Sequence, residues 1–345
     1  MTTSTLEPPR AGSDYAELSR RVSAAGLLRR RPGYYAFRFA AVGVGLTATW
    51  LAFLTLGDSP WQLLVAVAAA FGSGQLALLA HDVAHRQVFR GRRASAVAGR
   101  IMGNLGIGMS YGAWHDKHTR HHANPNHDEL DPDVGPGALA FSAEQASTTR
   151  SPLFRFVQRR QRLLFFPLLT LAGVDLRVTS VRGLASNTRI PARRLEAVLL
   201  AVHVVGYLAL LFTLLPPLLA VGFLVVHQAL FGLYLGSIFA PNHKGMDVPE
   251  GKPDFLRKQV LTSRNVRGNR FTDRPLHVLM GGLNHQIEHH LFPSMPTANL
   301  RAARTLVHGY CDEVGVTYHE TGLVRSWREI LDHLHEVGEP LRSEL

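Results

Sequence analysis

Cysteine is almost absent: the 345 residues contain one, Cys311. A single thiol excludes an internal disulfide framework and any iron–sulfur or zinc site built on several thiolates. Acidic residues are also scarce, 26 Asp and Glu against 37 Lys and Arg, for a formal net charge of +11. Such a surplus can signal nucleic-acid binding, but no basic stripe with interleaved aromatics occurs, so no nucleic-acid partner is expected. The arginines instead flank apolar runs, where membrane topology and anionic lipid headgroups account for them. Also missing are a P-loop, a G-x-G-x-x-G in a dinucleotide-binding context and the H-E-x-x-H of zinc proteases. Met1 to about Ser19 is rich in Thr, Ser, Pro and charge and has no apolar h-region. Neither signal peptide nor membrane anchor is expected there, only a disordered tail.

What the sequence does have is apolar residues gathered into long runs, which a mean hydropathy of +0.03 conceals by averaging. Four runs, at about 39–57, 61–80, 197–214 and 218–240, are long enough to span. Roughly 20 helical residues at ~1.5 Å each cross a hydrocarbon core of ~30 Å. The tight linkers Asp58-Ser59-Pro60 and Pro216-Pro217 make these spans two hairpins, and neither linker carries Lys or Arg. Arg10, Arg20, Arg21, Arg29, Arg30 and Arg31 precede the first span, and Arg86, Arg90, Arg92 and Arg93 follow the second. The positive-inside rule then puts both termini, and the loops that carry the polar chemistry, in the cytoplasm. The expectation is an all-α, multi-pass integral membrane protein: a cytoplasmic tail (1–35, partly disordered), then one membrane domain (36–340) with a cytoplasmic loop at 81–196. A helical cytoplasmic cap is expected over 241–345, with amphipathic helices at 297–314 and 322–337. Two shorter apolar pieces, 101–112 and 163–176, are read as interfacial or re-entrant helices.

Eighteen histidines are present, and their spacing is more telling than their number. His81 and His85 stand at i and i+4 where the second span ends, so on a continuing helix they share one face. His118, His121 and His122 follow at i, i+3 and i+4, which brings three imidazoles to one side of a helix. Gln286, His289 and His290 repeat that spacing with glutamine first. Gln286 is placed to bind metal through its carbonyl oxygen or to hydrogen-bond a metal-bound water. His243, in Ala240-Pro241-Asn242-His243, surfaces where the fourth span ends, on the same side as His81 and His85. Together these are eight ring nitrogens, too many for one tetrahedral zinc, so two metal ions are implied. Imidazole suits zinc, copper, iron and nickel alike. With no thiolates and no obvious carboxylate set, a di-iron centre reacting with oxygen is the favoured chemistry and copper the second. His115, His285, Asn242 and Asp82 are read as neighbours that orient ligands or bind alongside them. His227 lies too deep in its span to join and is expected to bond Gln228; His203, about two turns inside the third span, is read as structural, with contact to a substrate chain as the alternative.

The strings H-D-x-x-H (His81 to His85), H-x-x-H-H (His118 to His122) and Q-x-x-H-H (Gln286 to His290) resemble the three histidine boxes of membrane fatty acid desaturases. The likeness runs from about Tyr35 to Leu334. Gly281-Gly282-Leu283-Asn284-His285-Gln286-Ile287-Glu288-His289-His290-Leu291-Phe292-Pro293 is most similar to the front-end, linoleoyl-CoA desaturase-like branch. This resemblance implies an oxygen-dependent oxidoreductase with two iron ions, which takes two neighbouring hydrogens from an acyl chain and leaves a cis double bond. The metal centre itself carries the catalysis, with no separate acid or base. The cytochrome b5 domain of many front-end relatives, marked by His-Pro-Gly-Gly, has no counterpart here beyond Arg31-Pro32-Gly33-Tyr34, so a separate reductase, ferredoxin or cytochrome b5-like donor is expected.

Lys117, Arg120, Lys244, Arg264, Arg267 and Arg270 are candidates to receive a substrate headgroup, which favours acyl-CoA over a glycerolipid acyl chain. Within the same chemistry the alternative is a lipid or alkyl-chain hydroxylase. A histidine-rich metal transporter is a more remote one, since transport places ligands near the bilayer midplane and these clusters fall at span ends and in loops.

Overall fold

The computed structural model describes residues 13–186, 189–246, 251 and 253–343. Its first element corrects the expected tail. Residues 1–12 lie outside the described segments, but α1 (Asp14–Ala24) is an ordered helix capped by the Ser13 side chain. Leu18 and Val22, four residues apart, form one apolar face that is fully buried, which offsets the cost of ordering this polar segment.

Among the described residues, four helices are long and apolar enough to cross a membrane: α2 (Pro32–Leu56), α3 (Gln62–Ala84) and, beyond the central loop, two more named below. Pro32 opens α2 at a position where its missing N–H costs nothing, and Gly57 ends it with φ +57°. After α3 come α4 (Arg92–Arg100), a π-helical stretch (Ile101–Ile107) and α5 (Tyr111–Ala123). The loop continues through α6 (Ala143–Thr148), α7 (Pro152–Arg159), α8 (Gln161–Leu169) and α9 (Ala172–Ala185). Helices α8 and α9 meet at a 75° bend, as a re-entrant or broken span would, in keeping with the reading of 163–176. The second hairpin is α10 (Arg193–Leu214) and α11 (Pro217–His243). Both hairpins are as expected, and each apolar helix reaches a few residues beyond its anticipated start or end.

Small residues let the helices approach closely. Gly74 of α3 lies against the Tyr234 ring of α11, and a Cβ at Gly232 would come 2.5 Å from the Leu169 carbonyl and 2.6 Å from the Gly173 amide. Outward faces carry exposed apolar side chains such as Phe37, Val44, Leu64, Val205 and Leu218, as lipid contact requires.

The C-terminal part comprises α12 (Phe255–Leu261), α13 (Asp273–Leu279), α14 (Gln286–Leu291), α15 (Thr297–Glu313), α16 (Leu323–Val337) and α17 (Glu339–Ser343). One departure from an all-helical fold is a short parallel pair, β1 (Asn265–Arg267) with β2 (Glu320–Gly322). The cap core joins Leu18 and Val22 of α1 to Leu256, Val260, Ile287, Leu291, Val307 and Cys311. Ion pairs Arg21–Glu313 (2.8 Å) and Arg257–Asp14 (3.0 Å) fasten α1 to this cap.

Candidate metal centre

The ends of α3 and α11 meet under α5 and α14, and there the eight predicted histidines converge. His81 sits in the last turn of α3 and His85 caps it. They join His118, His122 and His289, and one ring nitrogen from each of the five lies within 4.8 Å of all the others. His121, His243 and His290 form a second set under the same limit. The spacing alone suggested one face for His118, His121 and His122; the structure divides them. His118 and His122, one turn apart, enter the first set, and His121 is rotated toward the second. Consecutive helical residues diverge by ~100°. Each His-His pair, His121/His122 and His289/His290, therefore delivers one imidazole to each position.

Hydrogen bonds on the far side of the rings decide what the second set can do. His121 Nδ1 lies 2.9 Å from the Asp131 carboxylate and His243 Nδ1 lies 3.0 Å from the Thr262 carbonyl. His290 Nδ1 lies 2.9 Å from Gln259 Oε1, whose amide is oriented because its Nε2 donates to the His122 carbonyl at 3.0 Å. All three partners are acceptors, so each Nδ1 carries the proton and each Nε2 presents a lone pair. Those lone pairs face one another, His121 and His243 at 3.3 Å. The Gln286 amide donates to His243 Nε2 at 2.9 Å, whereas the Nε2 lone pairs of His121 and His290 meet no proton among the described residues and stay unsatisfied unless a cation lies among the three rings; the carboxylate–imidazole arrangement is the usual support for a metal ligand. In the first set, His85 and His118 approach to 2.8 Å and His118 and His122 to 3.1 Å. Both ring nitrogens of His81 and of His289 are buried with no hydrogen-bond partner among the described residues. Leaving them unmet costs ~1–3 kcal/mol each, so the residues present fit two bound cations.

Burial, reinforced by the neighbouring imidazoles, pushes His85, His118, His122, His289 and His290 well below the ordinary histidine pKa. They are thus neutral and ready to donate to a metal.

The scaffold behind the rings is equally specific. The N-terminus of α5 is braced by buried Glu196 of α10, which accepts from Ser110 Oγ (2.7 Å) and the Gly112 amide (2.9 Å). A carboxylate there also complements the helix dipole. Trp114 stacks on His118 with ring centroids 4.6 Å apart. Beneath α14, the Glu288 carboxylate accepts from Asn265 and from Tyr318, each at 2.7 Å. Above both sets opens a cavity of about 550 Å³ with apolar walls, including Leu139, Phe165, Leu176, Leu235 and Phe239, and with His81, His118, His121 and His243 at its floor.

The family model for fatty acid desaturases matches residues 58–322, most of the chain and all of this site. The chain belongs to the fatty acid desaturase family. It is 32% identical to an acyl-lipid (9-3)-desaturase of Physcomitrium patens, over 77% of this chain and 51% of that one. To a Delta(6)-fatty-acid desaturase of Caenorhabditis elegans it is 26% identical, over 96% of this chain and 76% of the other. A Delta(8)-fatty-acid desaturase of Euglena gracilis is 28% identical, over 90% and 76% respectively. The chain thus spans about half the length of the Physcomitrium relative and about three quarters of the other two.

Several residues of the desaturase stand elsewhere than spacing suggested. Asp82 lies 3.6 Å from His81 Nδ1, beyond hydrogen-bond range, and instead accepts from Thr297 Oγ1 at 3.0 Å. His115 faces Tyr111, and His285 faces His277; neither belongs to a metal set. Gln286 lies 2.9 Å from His243 Nε2 and accepts from Asn242 at 3.1 Å, so both amides border the second set. His227 bonds Tyr207 (2.7 Å) and Ser73 (3.2 Å) rather than Gln228.

Of the six expected headgroup cations, only Lys117, Arg120 and Lys244 line the cavity. Arg264 is completely buried and paired with Glu329, and it also donates to the Lys244 carbonyl. Arg267 turns to Glu320 at 3.6 Å, and Arg270 lies over the Phe271 ring. Asp131, Gln259, Glu196 and Glu288 were not singled out from the sequence. The one signal for Asp131 is an acidic residue in the loop just after a histidine box.

Proposed function

We propose that this desaturase is an oxygen-dependent oxidoreductase that introduces a cis double bond into a fatty acyl chain, with O2 as co-substrate and electrons from a separate reductase, ferredoxin or cytochrome b5-like protein. The observation that carries the reading is the position of two imidazole sets at the floor of an apolar cavity. His81, His85, His118, His122 and His289 would hold one iron ion and His121, His243 and His290 the other. When bound, the iron pair supplies the oxidising power that breaking the bonds of an unactivated methylene demands, since such a carbon has no proton acidic enough for a side-chain base.

The protein's own part is binding, orientation and exclusion of water. Imidazoles hold both positions, and Asp131, the Thr262 carbonyl and Gln259 keep the protons of His121, His243 and His290 on the outer nitrogens. Apolar walls fix an extended chain with one stretch of methylenes over the floor, which is the near-attack placement that makes a single carbon pair reactive. The mouth is charge-balanced: Lys117, Arg120 and Lys244 stand with Asp116, Asp133 and Asp175. Lys117 pairs with Asp133 at 2.7 Å and Arg120 with Asp116 at 3.3 Å. Burial works against ionisation of Asp133, yet Lys117, His121 and Lys244 hold its carboxyl below the usual range. Two of these cations are already occupied by carboxylates and Lys244 donates to the Asp133 carbonyl, which makes the three poor receivers of CoA phosphates. We therefore read the substrate as an acyl chain carried on a membrane lipid, revising the preference for acyl-CoA. We read the site and both termini as cytoplasmic, a reading that the positive-inside pattern supports.

Expression in a host of known lipid profile, with a reductase supplied, tests this. Gas chromatography is expected to locate a new double bond, lost in His118→Ala and His289→Ala, with about two irons per active chain. Unchanged lipids, or activity surviving both substitutions, would sink the proposal. Pulse-labelled acyl chains should show the new bond in glycerolipid before the CoA pool; the reverse order would restore acyl-CoA.

A further inference from the structure

A second cavity, of about 600 Å³, lies deeper among the spans, bordered by residues of α2, α3, α10 and α11, and it opens outward where Leu51, Leu54 and Val202 of its lining are exposed. It abuts the cavity above the histidines end to end, because neighbouring residues on three helices face opposite sides of the divide. Leu76, Arg177 and Phe231 border the deep cavity; Ala77, Leu176 and Gly232 border the other. Among the described residues, Ile107 alone borders both. Its side chain is buried, at 2% exposure, at the end of the π-helical stretch, an irregularity that recurs at functional positions.

The backbone around Ile107 is held on both sides. Its carbonyl accepts from Arg177 at 3.1 Å, and the Leu105 carbonyl lies 2.8 Å from His203 Nδ1. Gly108, with φ +71°, turns the chain where any Cβ would strike the His203 ring. Of the polar groups that line the deep cavity, His227 bonds Tyr207 and Ser73, while Arg177 and His203 Nδ1 are turned to backbone carbonyls. Its remaining surface is largely aliphatic and aromatic, with Leu46, Trp50, Leu51 and Leu210 among the lining residues.

We infer that Ile107 sets the longest acyl chain this desaturase accepts, the methyl end of the substrate stopping against its side chain with the deep cavity in reserve beyond. The inference rests on the reading of the upper cavity as the acyl site. Among the described residues that form the divide, Ile107 is the one that borders both spaces, so trimming its side chain opens a passage between them, and each methylene that gains or loses a place in an apolar pocket changes selectivity by about tenfold or more.

The test feeds a homologous series of saturated acyl chains to cells expressing wild type, Ile107→Val or Ile107→Ala, and compares products by chain length. Ile107→Ala is expected to raise the ratio of long-chain to short-chain product about tenfold, and Ile107→Val to move it the same way by less. Gly206 borders the deep cavity, and a Cβ there meets nothing within 4 Å. Adding Gly206→Leu to Ile107→Ala should therefore refill the space and return the ratio to that of wild type. A ratio unchanged in the variants that accumulate, or an Ile107→Ala shift that Gly206→Leu leaves intact, would overturn the inference; the milder Ile107→Val decides if alanine does not fold. Mass spectrometry of acyl chains retained by the purified proteins reads the same shift without turnover. A wild-type protein that retains chains and makes no unsaturated product would refute the proposed activity and leave the length limit to be judged on the retained chains.

Discussion

Asp131 offers the sharpest test of how the three-histidine position is built. It is 2% exposed and accepts three hydrogen bonds: from His121 Nδ1 at 2.9 Å, the Asn126 amide at 2.8 Å and the Asp133 amide at 2.9 Å. Asp131→Asn keeps the shape but must place its NH2 where one carboxylate oxygen stood, and each oxygen faces an N–H. The cheaper placement turns the NH2 to the Asp133 amide, losing one bond at ~1–3 kcal/mol. His121 then keeps an acceptor, but an uncharged one, and a charge-assisted bond is roughly twice as strong as a neutral one. Asp131→Ala removes both acceptor oxygens, and with them all three bonds, and frees the proton of His121 to move onto the nitrogen that should face the metal. Loss of such a supporting carboxylate costs about 10–100-fold in metal affinity, or about 1.4–2.8 kcal/mol. We expect Asp131→Asn at the lower end of that range and Asp131→Ala at the upper end. The assay is a chelator titration of purified, iron-loaded protein, with iron per chain counted at each step. One iron should leave the variants at a chelator concentration that leaves the wild type full. Retention of both irons with the wild-type midpoint in both variants would refute the assignment of His121 as a ligand oriented by Asp131.

Three further outcomes follow from the packing. Glu196→Gln turns an amide NH2 toward donors at the start of α5 and leaves Arg100 (3.1 Å away) without its carboxylate; a loss of about 3 kcal/mol is expected in detergent unfolding, and a change under ~0.5 kcal/mol, the size of an ordinary surface substitution, would show that α5 needs no such brace. Gly232→Ala adds a methyl against the backbone of α8 and α9, so it should destabilise by about 1–3 kcal/mol despite the better helix propensity of alanine; unfolding midpoints at or above wild type would contradict the close approach. Removing iron leaves buried, unpartnered nitrogens on His81 and His289, and should lower unfolding stability by about 2.7 kcal/mol relative to protein held at iron a hundred times Kd; equal stability with and without iron would argue against a metal at these rings.

What could be read in the sequence was whatever leaves a local, periodic trace. Spans do, because lipid forces every residue of a crossing helix to be apolar, and ligands on one helix do, because they must recur at i+3 or i+4. The same logic found His243, since two hairpins fix which span ends meet. Partners distant in sequence leave no such trace. Arg264 reads as a free cation until Glu329, 65 residues on, is seen to neutralise it in a buried site. Glu196 lies 86 residues from the hydroxyl it accepts from, and Gln259 31 from the imidazole it orients. Helix α1 escaped notice because a few polar turns with one buried stripe look disordered by composition, and the surface that orders them comes from the other end of the fold.

That last contact has a consequence for how the protein is made. The Asp14 carbonyl accepts from Tyr310, 296 residues later, and Arg21 meets Glu313, 292 residues later. Contacts so far apart in the chain form late in folding because their closure entropy must be met first. During synthesis α1 emerges before the spans, yet its buried face has no partner until α12 and the helices after it have been translated, by which time all four spans exist. His289 and His290 also belong to this final portion. Membrane insertion must therefore be complete before the cap can close, and the metal positions come together only as the two ends of the chain meet.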